Sequence, residues 1–294
     1  MRRVSLTMIV GNDAGTLPRA LASAADLADE IVVIDTGSND GTRQIAAAAR
    51  DRHGSPAKVF DFRWCDDFSA ARNESLRHAT GDWVFWLDAD DWLDQPNRQA
   101  LAELLGSLGD ENIVYQMLHT SPAAADGGHP ASVARQDRLF RRLPGIRWQG
   151  RVHEQIVPSV MRSGGTVRPT TIAILHSGYE DAAVRRQKLA RNLRLLELDH
   201  ADRPDDPYVL FYLGMTLAMS GLVADAIPRL DRSRALLPSH SRYLPRLCLL
   251  LADCWRLAGH ADRALEICRE ARAAYPEDAE LSRLESELAN ENRP

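Results

Sequence analysis

The chain has 294 residues, a formal net charge of -5 and 45% hydrophobic residues, so it is long enough for two domains that each bury a core. Its 36 Lys and Arg residues are slightly outnumbered by 41 Asp and Glu residues, so the chain has no strong basic field for a polyanion. We therefore expect no nucleic-acid partner. The apolar run from Val4 to Val10 is too short to cross a bilayer and leads into Gly-Asn-Asp rather than a cleavage site. We therefore expect a cytoplasmic protein without a transmembrane segment.

The cysteines agree with a reducing compartment. They contain no C-x-x-C pair and no metal-ligand spacing with histidine, which favours reduced and mostly buried thiols over disulfides or a zinc site. The four residues are Cys65, Cys248, Cys254 and Cys268.

Short β-rich runs alternate with helical segments from Arg3 to about His176. In chain order, the pattern predicts a strand at 4–10, a helix at 16–28, a strand at 30–35, a helix at 41–50, a strand at 57–62, a helix at 68–79 and a strand at 82–88. This alternation predicts an α/β domain with a mainly parallel sheet and helices on both faces. Ligands of such sheets bind beyond the carboxyl ends of the strands, where Asp35 and Asp88 lie. The Pro- and Gly-rich segment 120–132 predicts a mobile loop, either a lid or a tolerated insertion.

The pattern changes after "HSGYED", and we predict a first domain at 1–181 and an all-α domain at 182–294. Within the second domain, "LGMTLAMSGLVADAIPRLDRSRALLP" aligns with "LADCWRLAGHADRALEICREARAAYP" at a constant offset of 38 residues. Each unit has a small residue where two helices would cross, a Gly turn and a final Pro, and so resembles a tetratricopeptide repeat with a longer link. Helices near 185–198 and 279–288 should flank the two units. Pro228 predicts a kink or a late helix start.

Three acids follow an apolar strand in "WLDADDW", residues 86–92. Acids after a strand often cap the next helix, and Asp94 or Asn97 is placed to do so here. The alternative is a cation site, because Asp88 and Asp90 are two residues apart and can face one point beyond the sheet edge. Converging carboxylate oxygens suit a hard divalent cation, which would also remove their mutual repulsion.

Five long motifs follow one another along roughly the first 180 residues: "SLTMIVGND", "DEIVVIDTGSNDGT", "FRWCDDFSAARNESLRHATGDWVFWLDADDWL", "GRVHEQI" and "LHSGY". In this order and spacing they resemble the family 2 glycosyltransferases of the GT-A fold, in the branch where tetratricopeptide repeats follow the catalytic domain. The implied fold is the sheet already predicted from the alternating pattern.

The resemblance implies a site for the nucleotide part of a donor. Asp35 would hold the base or the ribose, and Thr36, where many relatives carry a second acid, leaves the base open. Arg72 would pair with the diphosphate through its planar fork and Asn73 with a ribose or phosphate oxygen. A pair between Arg72 and Asp67 at the surface is the alternative, and "DTGSNDGT" can also be interpreted as a capped turn. The implied donor-binding residues are Val10, Asn12, Asp35, Gly37, Ser38, Asp67, Arg72, Asn73 and Asp88.

The same resemblance implies the metal and the base. Asp88 would face the ribose and Asp90 the cation, Mn²⁺ or Mg²⁺, with His176 completing the metal shell unless it is a hydrogen-bonded core histidine. Glu154 is the candidate base for an inverting transfer, and His153 is the alternative contact to the acceptor. The alternative without a catalytic role is that Glu154 is a surface residue beside a buried His153.

The sequence therefore predicts a metal-dependent, inverting glycosyltransferase. Its expected donor is a nucleotide-diphosphate sugar, with UDP-sugars first, and its acceptor is a glycan, a lipid-linked glycan, a peptide or a protein. The repeats would present that acceptor, bind a protein partner or form a homodimer contact. An inactive interaction protein is one alternative. A nucleotidyltransferase is another, although "VGNDAGTL" is a poor match to a Gly-rich phosphate loop.

Overall fold

The structure is a computed structural model that describes residues 2–123, 131–176, 182–239, 241 and 243–291. The chain divides into two compact units, Met1–Arg185 and Arg186–Pro294. Among the described helices, none combines the length and the apolar character needed to cross a bilayer. Most of the loop predicted at 120–132, and the Ser-Gly-Tyr that follows His176, lie outside the described residues.

The first unit contains eight strands and five helices among its described residues. The strands are β1 (Val4–Val10), β2 (Glu30–Asp35), β3 (Lys58–Asp61), β4 (Trp83–Trp86), β5 (Asp91–Trp92), β6 (Ile113–Ser121), β7 (Ser132–Arg141) and β8 (Thr166–His176). The helices are α1 (Leu17–Ala24), α2 (Thr42–Ala48), α3 (Phe68–His78), α4 (Gln95–Gly106) and α5 (Val157–Arg162), and a 3-10 turn at Ala25–Leu27 extends α1. All strands form one sheet in the order β3-β2-β1-β4-β7-β6-β8-β5.

The half of the sheet from β3 to β4 is entirely parallel. The strands of this half are apolar because both faces of the sheet are covered. In β2, Ile31 and Val33 pack in the core under α1, whereas Val32 and Ile34 pack against Ala71 of α3 on the other face. Strand β1 pairs with β2 on one side and with β4 on the other, so the strand order reverses there. Such a reversal opens a crevice at the carboxyl ends of the strands, and this crevice positions the candidate site.

The other half of the sheet is mixed, but four of the seven pairs between described strands are parallel, so the expected mainly parallel sheet is confirmed. Strand β7 runs antiparallel to both β4 and β6. Strand β8 is parallel to β6. The short strand β5 pairs antiparallel with the end of β8 and places Asp91 opposite His176.

The second unit consists of helices throughout its described residues. They are α6 (Ala182–Asp202), α7 (Pro207–Met219), α8 (Val223–Leu236), α9 (Leu244–Leu257), α10 (Ala261–Ala274) and α11 (Ala279–Glu291). Helices α7 and α8 pack as one antiparallel pair and α9 and α10 as the next, with α11 against α10. Gly221 and Gly259 turn the chain within each pair with φ of 79° and 84°. These pairs are the two predicted repeat units.

Two details of this unit follow from its sequence. A β-carbon on Gly214 would lie 2.6 Å from Cγ of Leu230, so a small residue is needed where α7 crosses α8. Helix α8 begins at Val223 and runs through Pro228, so the alternative of a late helix start is wrong.

Three of the four cysteines are buried and Cys65 is exposed. Burial raises the pKa of Cys254 and of Cys268 to about 11, which keeps both as unreactive thiols.

Candidate active site

The acidic turn, defined here as Asp88 to Asp91, is separated from β4 by one residue, Leu87. Leu87 ties the start of the turn to β1, because its amide donates to the carbonyl of Thr7 at 3.3 Å. The side chains of Asp88 and Asp90 are 36% and 26% exposed, whereas that of Asp91 is fully buried. The turn therefore has an exposed part, which faces the crevice, and a buried part, which faces the sheet.

Arg72 connects the exposed part of the turn to the predicted base. Its Nη2 donates to Oδ1 of Asp88 at 2.8 Å, and its Nε donates to Oε1 of Glu154. The guanidinium carbon lies 3.8 Å from the ring centroid of Trp86. Burial alone would lower the pKa of Arg72, but the carboxylates of Asp88 and Glu154 outweigh it and raise that pKa. The alternative pairing with Asp67 at the surface is wrong.

Glu154 lies on a loop that is fixed at both ends. Gln149 and Gln155 exchange backbone hydrogen bonds of 3.1 and 2.9 Å, and the amide of Phe68 at the start of α3 donates to the carbonyl of Arg151 at 2.8 Å. Within the loop, His153 has a left-handed backbone with φ of 53°. The Glu154 side chain is 12% exposed, so it is neither a surface group nor a fully buried one.

Asp35 and Asn12 shape the ends of β2 and β1. Oδ1 of Asp35 accepts from the amides of Gly37 at 3.2 Å and Ser38 at 2.9 Å. Burial would raise the pKa of Asp35, but these donors, together with the Ser38 hydroxyl, lower it, so the carboxylate is ionised. The amide of Asn12 donates to Oγ of Ser38 at 3.1 Å, and the carbonyl of Val10 accepts from the Thr36 hydroxyl at 2.8 Å. The turn after β2 is thus built around Asp35, whereas α2 has Gly41 at its N-cap with no side-chain cap hydrogen bond, so the interpretation of this segment as a capped turn into a helix is wrong.

Two predicted donor-binding residues are used to build the frame of the site. Asp67 is the N-cap of α3 and accepts from the amide of Ala70 at 2.9 Å. The side-chain amide of Asn73 forms two hydrogen bonds with the backbone of Trp148: it accepts from the N–H at 2.9 Å and donates to the carbonyl at 3.0 Å. Contacts of Asp67 and Asn73 with a donor stay predictions.

The buried part of the turn belongs to a cluster that the sequence did not predict, which we call the histidine cluster: Asp91, His119, His176 and Arg138. Oδ1 of Asp91 lies 3.0 Å from Nδ1 of His176 and 3.2 Å from Nε2 of His119, and Oδ2 pairs with Nη1 of Arg138 at 2.7 Å. Burial would raise the pKa of Asp91, but Arg138 and the two imidazoles hold it well below its usual range. Nothing in the sequence marked Arg138 as buried, because it is one of several charged residues in the strand "SVARQDRLFR".

His176 is shared between the two parts of the turn. Its Nδ1 is 3.0 Å from Asp91 and 3.6 Å from Oδ1 of Asp90. Burial would lower the pKa of His176, but the hydrogen bond to Asp91 and the charge of Asp90 raise it. The interpretation of His176 as a hydrogen-bonded, buried histidine is confirmed, and its role as a metal ligand stays a prediction.

Asp13 is a further acid at the turn that the sequence did not predict as a site residue. Its Oδ2 accepts from the amide of Gly11 at 2.7 Å. Burial, followed by the negative charges of Asp90, Asp88 and Asp40, raises the pKa of Asp13. Asp13 thus lies close enough to Asp88 and Asp90 for their negative charges to act on it. Clustered hard oxygen donors fit a divalent cation.

A sheet with this reversal of strand order and acids at its carboxyl edge defines the class of GT-A nucleotide-sugar transferase folds. The family model of glycosyl transferase family 2 matches residues 5–162, which is more than half of the chain. The chain therefore belongs to glycosyl transferase family 2.

Known relatives agree with both units. A TPR repeat-containing protein of Synechococcus elongatus is 39% identical over 230 residues, covering 75% of this chain and 54% of the relative. The SPbeta prophage-derived glycosyltransferase SunS of Bacillus subtilis is 27% identical over 232 residues, covering 78% of this chain and 53% of that protein. The chain thus spans about half the length of these curated relatives.

The fold has also been seen in a solved structure. The crystal structure of residues 1–349 of S. aureus TarS has a TM-score of 0.50 at 14% identity, covering 99% of this chain and 92% of that one. The same fragment has been solved in complex with UDP-GlcNAc. At this identity the likeness shows the fold alone: a GT-A domain followed by helices.

Proposed function

We propose that the chain is a metal-dependent glycosyltransferase that moves a sugar from a nucleotide-diphosphate donor to an acceptor with inversion at the anomeric carbon. One observation carries the proposal. In a chain of this family, Arg72 joins Asp88 of the acidic turn to Glu154, and so places a candidate base beside the candidate donor site. Donor and acceptor would meet at this point, since holding both in line is a large part of catalysis by positioning.

The donor nucleotide would occupy the crevice beyond the carboxyl ends of β1, β2 and β4. The ionised carboxylate of Asp35 can accept a hydrogen bond from a ribose hydroxyl or a base N–H. Arg72 already uses two nitrogens for carboxylates, so a diphosphate would share this guanidinium with Asp88 and Glu154. UDP-sugars are the first candidates, because TarS binds UDP-GlcNAc on the same fold.

Asp88 and Asp90 would hold Mn²⁺ or Mg²⁺, with the imidazole of His176 as the third protein group. When bound, the cation would supply Lewis-acid stabilisation of the departing diphosphate. The carboxylates contribute by offering oxygen ligands from a turn whose backbone is fixed to β1. The negative charges that act on Asp13 support this placement over one at the compensated Asp91.

Glu154 would take the proton of the attacking acceptor group. With Oε1 held by Arg72, the proton would go to Oε2, on the side opposite the leaving diphosphate. His153, the neighbouring residue, is the alternative contact to the acceptor. The acceptor itself would be a glycan, a lipid-linked glycan, a peptide or a protein, presented by the helical repeats. A homodimer or a protein partner at the repeats, and the cytoplasmic location, stay predictions.

A thermal-shift screen tests the donor site. The purified chain is melted with UDP-, GDP-, dTDP- and CMP-sugars, each with and without Mn²⁺, and the screen is repeated on Asp90→Asn. Ligand at 100 times its Kd should stabilise the folded state by about 2.7 kcal/mol. We expect this only with one nucleotide and metal together, and not in Asp90→Asn. The control Asp26→Asn removes an exposed acid that pairs with Arg98, and it should behave as the parent does.

The outcomes separate the alternatives. No stabilisation by any nucleotide under any metal would contradict the proposal. Stabilisation by a donor without subsequent release of its nucleotide diphosphate, across glycan and peptide acceptors, would favour the inactive interaction protein.

A further inference from the structure

The ring of Trp86 contacts two buried arginines next to the acidic turn. The guanidinium carbons of Arg72 and Arg138 each lie 3.8 Å from the centroid of this ring. Trp86 is the last residue of β4, two positions before Asp88, and its side chain is buried. An aromatic face attracts a cation most strongly where water is excluded. The ring therefore contributes to where both guanidinium groups lie.

Trp86 is itself held in one orientation. Its indole N–H donates to the carbonyl of Asp137 on β7 at 2.6 Å. The rings of Trp86 and Trp148 meet edge to face, with centroids 5.4 Å apart and an angle of 90° between their planes. The backbone of Trp148 is bound by Asn73, the residue after Arg72 in α3. Contacts from β7 and, through Trp148, from α3 thus fix the ring that Arg72 contacts.

The carboxylates and the ring act on different parts of the Arg72 guanidinium. Its Nε donates to Glu154, and its Nη2 donates to Asp88 at 2.8 Å. Such hydrogen bonds lie in the plane of the guanidinium, so they fix its edges, whereas stacking on an aromatic ring fixes its face. A cation or donor that engages Asp88 would compete for this carboxylate. The contact with Trp86 is independent of that competition.

We propose that Trp86 is a positioning residue: its ring holds the Arg72 guanidinium between Asp88 and Glu154 while ligands bind. The inference rests on the proposed function, in which a donor diphosphate shares Arg72 with these two carboxylates. Without the ring, the Arg72 side chain is free to rotate about several single bonds. A misplacement of about 1 Å can cost about 10²-fold in rate, so the ring matters for turnover as well as for packing.

NMR of the full chain labelled with ¹⁵N-arginine tests the positioning without any substrate. The Nε–H signal of Arg72 is assigned by its loss in Arg72→Lys, and its heteronuclear NOE reports whether the group is fixed on the ps–ns timescale. We expect a fixed group in the parent and in Trp86→Phe, which keeps an aromatic face. In Trp86→Leu we expect a mobile group. A fixed Arg72 in folded Trp86→Leu would overturn the proposal.

Trp83 provides a matched control on the same strand. It is also a buried tryptophan whose indole N–H donates to a backbone carbonyl, that of Gly109 at 3.2 Å, but its ring packs against Tyr115. Trp83→Leu should lower the urea midpoint as Trp86→Leu does, because both remove a large buried side chain. It should leave the Arg72 signal unchanged. Equal mobility of Arg72 in both variants would make the role of Trp86 a purely structural one and overturn the proposal.

Turnover provides the second readout. The substrate is the nucleotide sugar that stabilises the parent most in the thermal-shift screen, with Mn²⁺ present. Release of nucleotide diphosphate per folded molecule should fall about 10²-fold in Trp86→Leu and stay within about tenfold of the parent in Trp86→Phe. Trp83→Leu should turn over as the parent does. Equal turnover in the two Trp86 variants would overturn the role of the aromatic face.

A third variant protects the test against misfolding. Trp86→Met fills the space of the ring with a flexible apolar chain but offers no aromatic face, so we again expect a mobile Arg72. The failure of this inference is distinguishable from that of the proposed function. An Arg72 that is fixed only when residue 86 is aromatic, combined with no nucleotide-dependent thermal shift, supports the positioning and contradicts the transferase. A fixed Arg72 in all variants, combined with such a thermal shift, contradicts the positioning alone.

Discussion

Acidic side chains lie at both ends of the parallel strands, but their hydrogen bonds and neighbouring charges differ between the two ends. At the amino end of β2, Glu30 is buried but accepts from the hydroxyl of Ser5, the hydroxyl of Thr80 and the amide of Gly81, and it pairs with Lys58 at 2.7 Å. Burial would raise the pKa of Glu30, yet these partners lower it to about 2. At the carboxyl end, burial and neighbouring acids raise the pKa of Asp13.

The two ends differ in how far hydrogen bonds and nearby cations offset the charge of the carboxylates. An acid whose hydrogen bonds and charge are satisfied within the protein, as those of Glu30 are, mainly stabilises the fold. Acids that are crowded without enough cations nearby can be stabilised by a ligand that brings positive charge. The amino edge therefore serves stability, and the carboxyl edge is available for function.

The largest expected effect is on activity at the carboxyl edge. Asp90→Asn should reduce the release of nucleotide diphosphate from the donor about 10³-fold, because the cation loses a ligand. Its free energy of unfolding should change by less than about 1 kcal/mol, since a partly exposed and repelled charge is removed. Turnover and urea denaturation are measured on the same preparation, with Asp26→Asn as control. A large loss of stability in Asp90→Asn would contradict the inferred difference between the two ends of the strands.

The converse is expected at the amino edge. Glu30→Ala should lower the free energy of unfolding by about 3 to 5 kcal/mol, because it leaves buried donors around Ser5 and Thr80 without an acceptor. Turnover per folded molecule should be unchanged. Urea denaturation measures the first quantity, and Glu111→Ala, at an exposed acid, is the control with an expected change within about 0.5 kcal/mol. A stable variant with reduced turnover would place Glu30 in the site.

Acid titration sharpens the same contrast. The pKa of Glu30 is about 2 in the folded protein against 4.5 ordinarily, so the unfolded chain binds the proton first as the pH falls. The stabilisation is fully present above pH 4.5 and is lost between pH 4.5 and about 2. It amounts to about 3 kcal/mol. The measurement is the difference in unfolding free energy between the parent and Glu30→Gln across this window; a difference that does not change with pH contradicts the assignment.

The smallest expected effect extends the comparison to the helical unit, where packing rather than charge is tested. Gly214→Ala should cost about 1 to 3 kcal/mol, because its β-carbon would press on the Leu230 side chain. Gly106→Ala is the matched control: it is also a helical glycine, but with open space around it, and should be neutral or stabilising by up to about 1 kcal/mol. Chemical denaturation measures both. Equal effects would mean that α7 and α8 can separate at little cost.

The sequence by itself determined the elements whose signals are local. Apolar runs and capping residues gave the strands and helices from β1 to β4, and a constant offset gave the two repeat units, because periodicity is set by residues close in the chain. The motifs also placed Asp35, Asp88 and Asp90 at strand ends. The antiparallel pairing of β7 was not predicted, because the direction in which a strand pairs cannot be inferred from its own residues.

Only the tertiary structure decided which charges meet. Arg72 was expected to bind a diphosphate or to pair with Asp67; in the structure it pairs with Asp88 and with Glu154, which is 82 positions away in the sequence. Asp91 has a fully buried cation as its partner, whereas Asp90, one residue earlier, faces the crevice. Adjacent acids in "DADD" are equivalent as sequence letters. They differ in the folded protein because β5 turns one of them into the sheet, where its charge had to be neutralised, and leaves the other at the edge, where a ligand can do so.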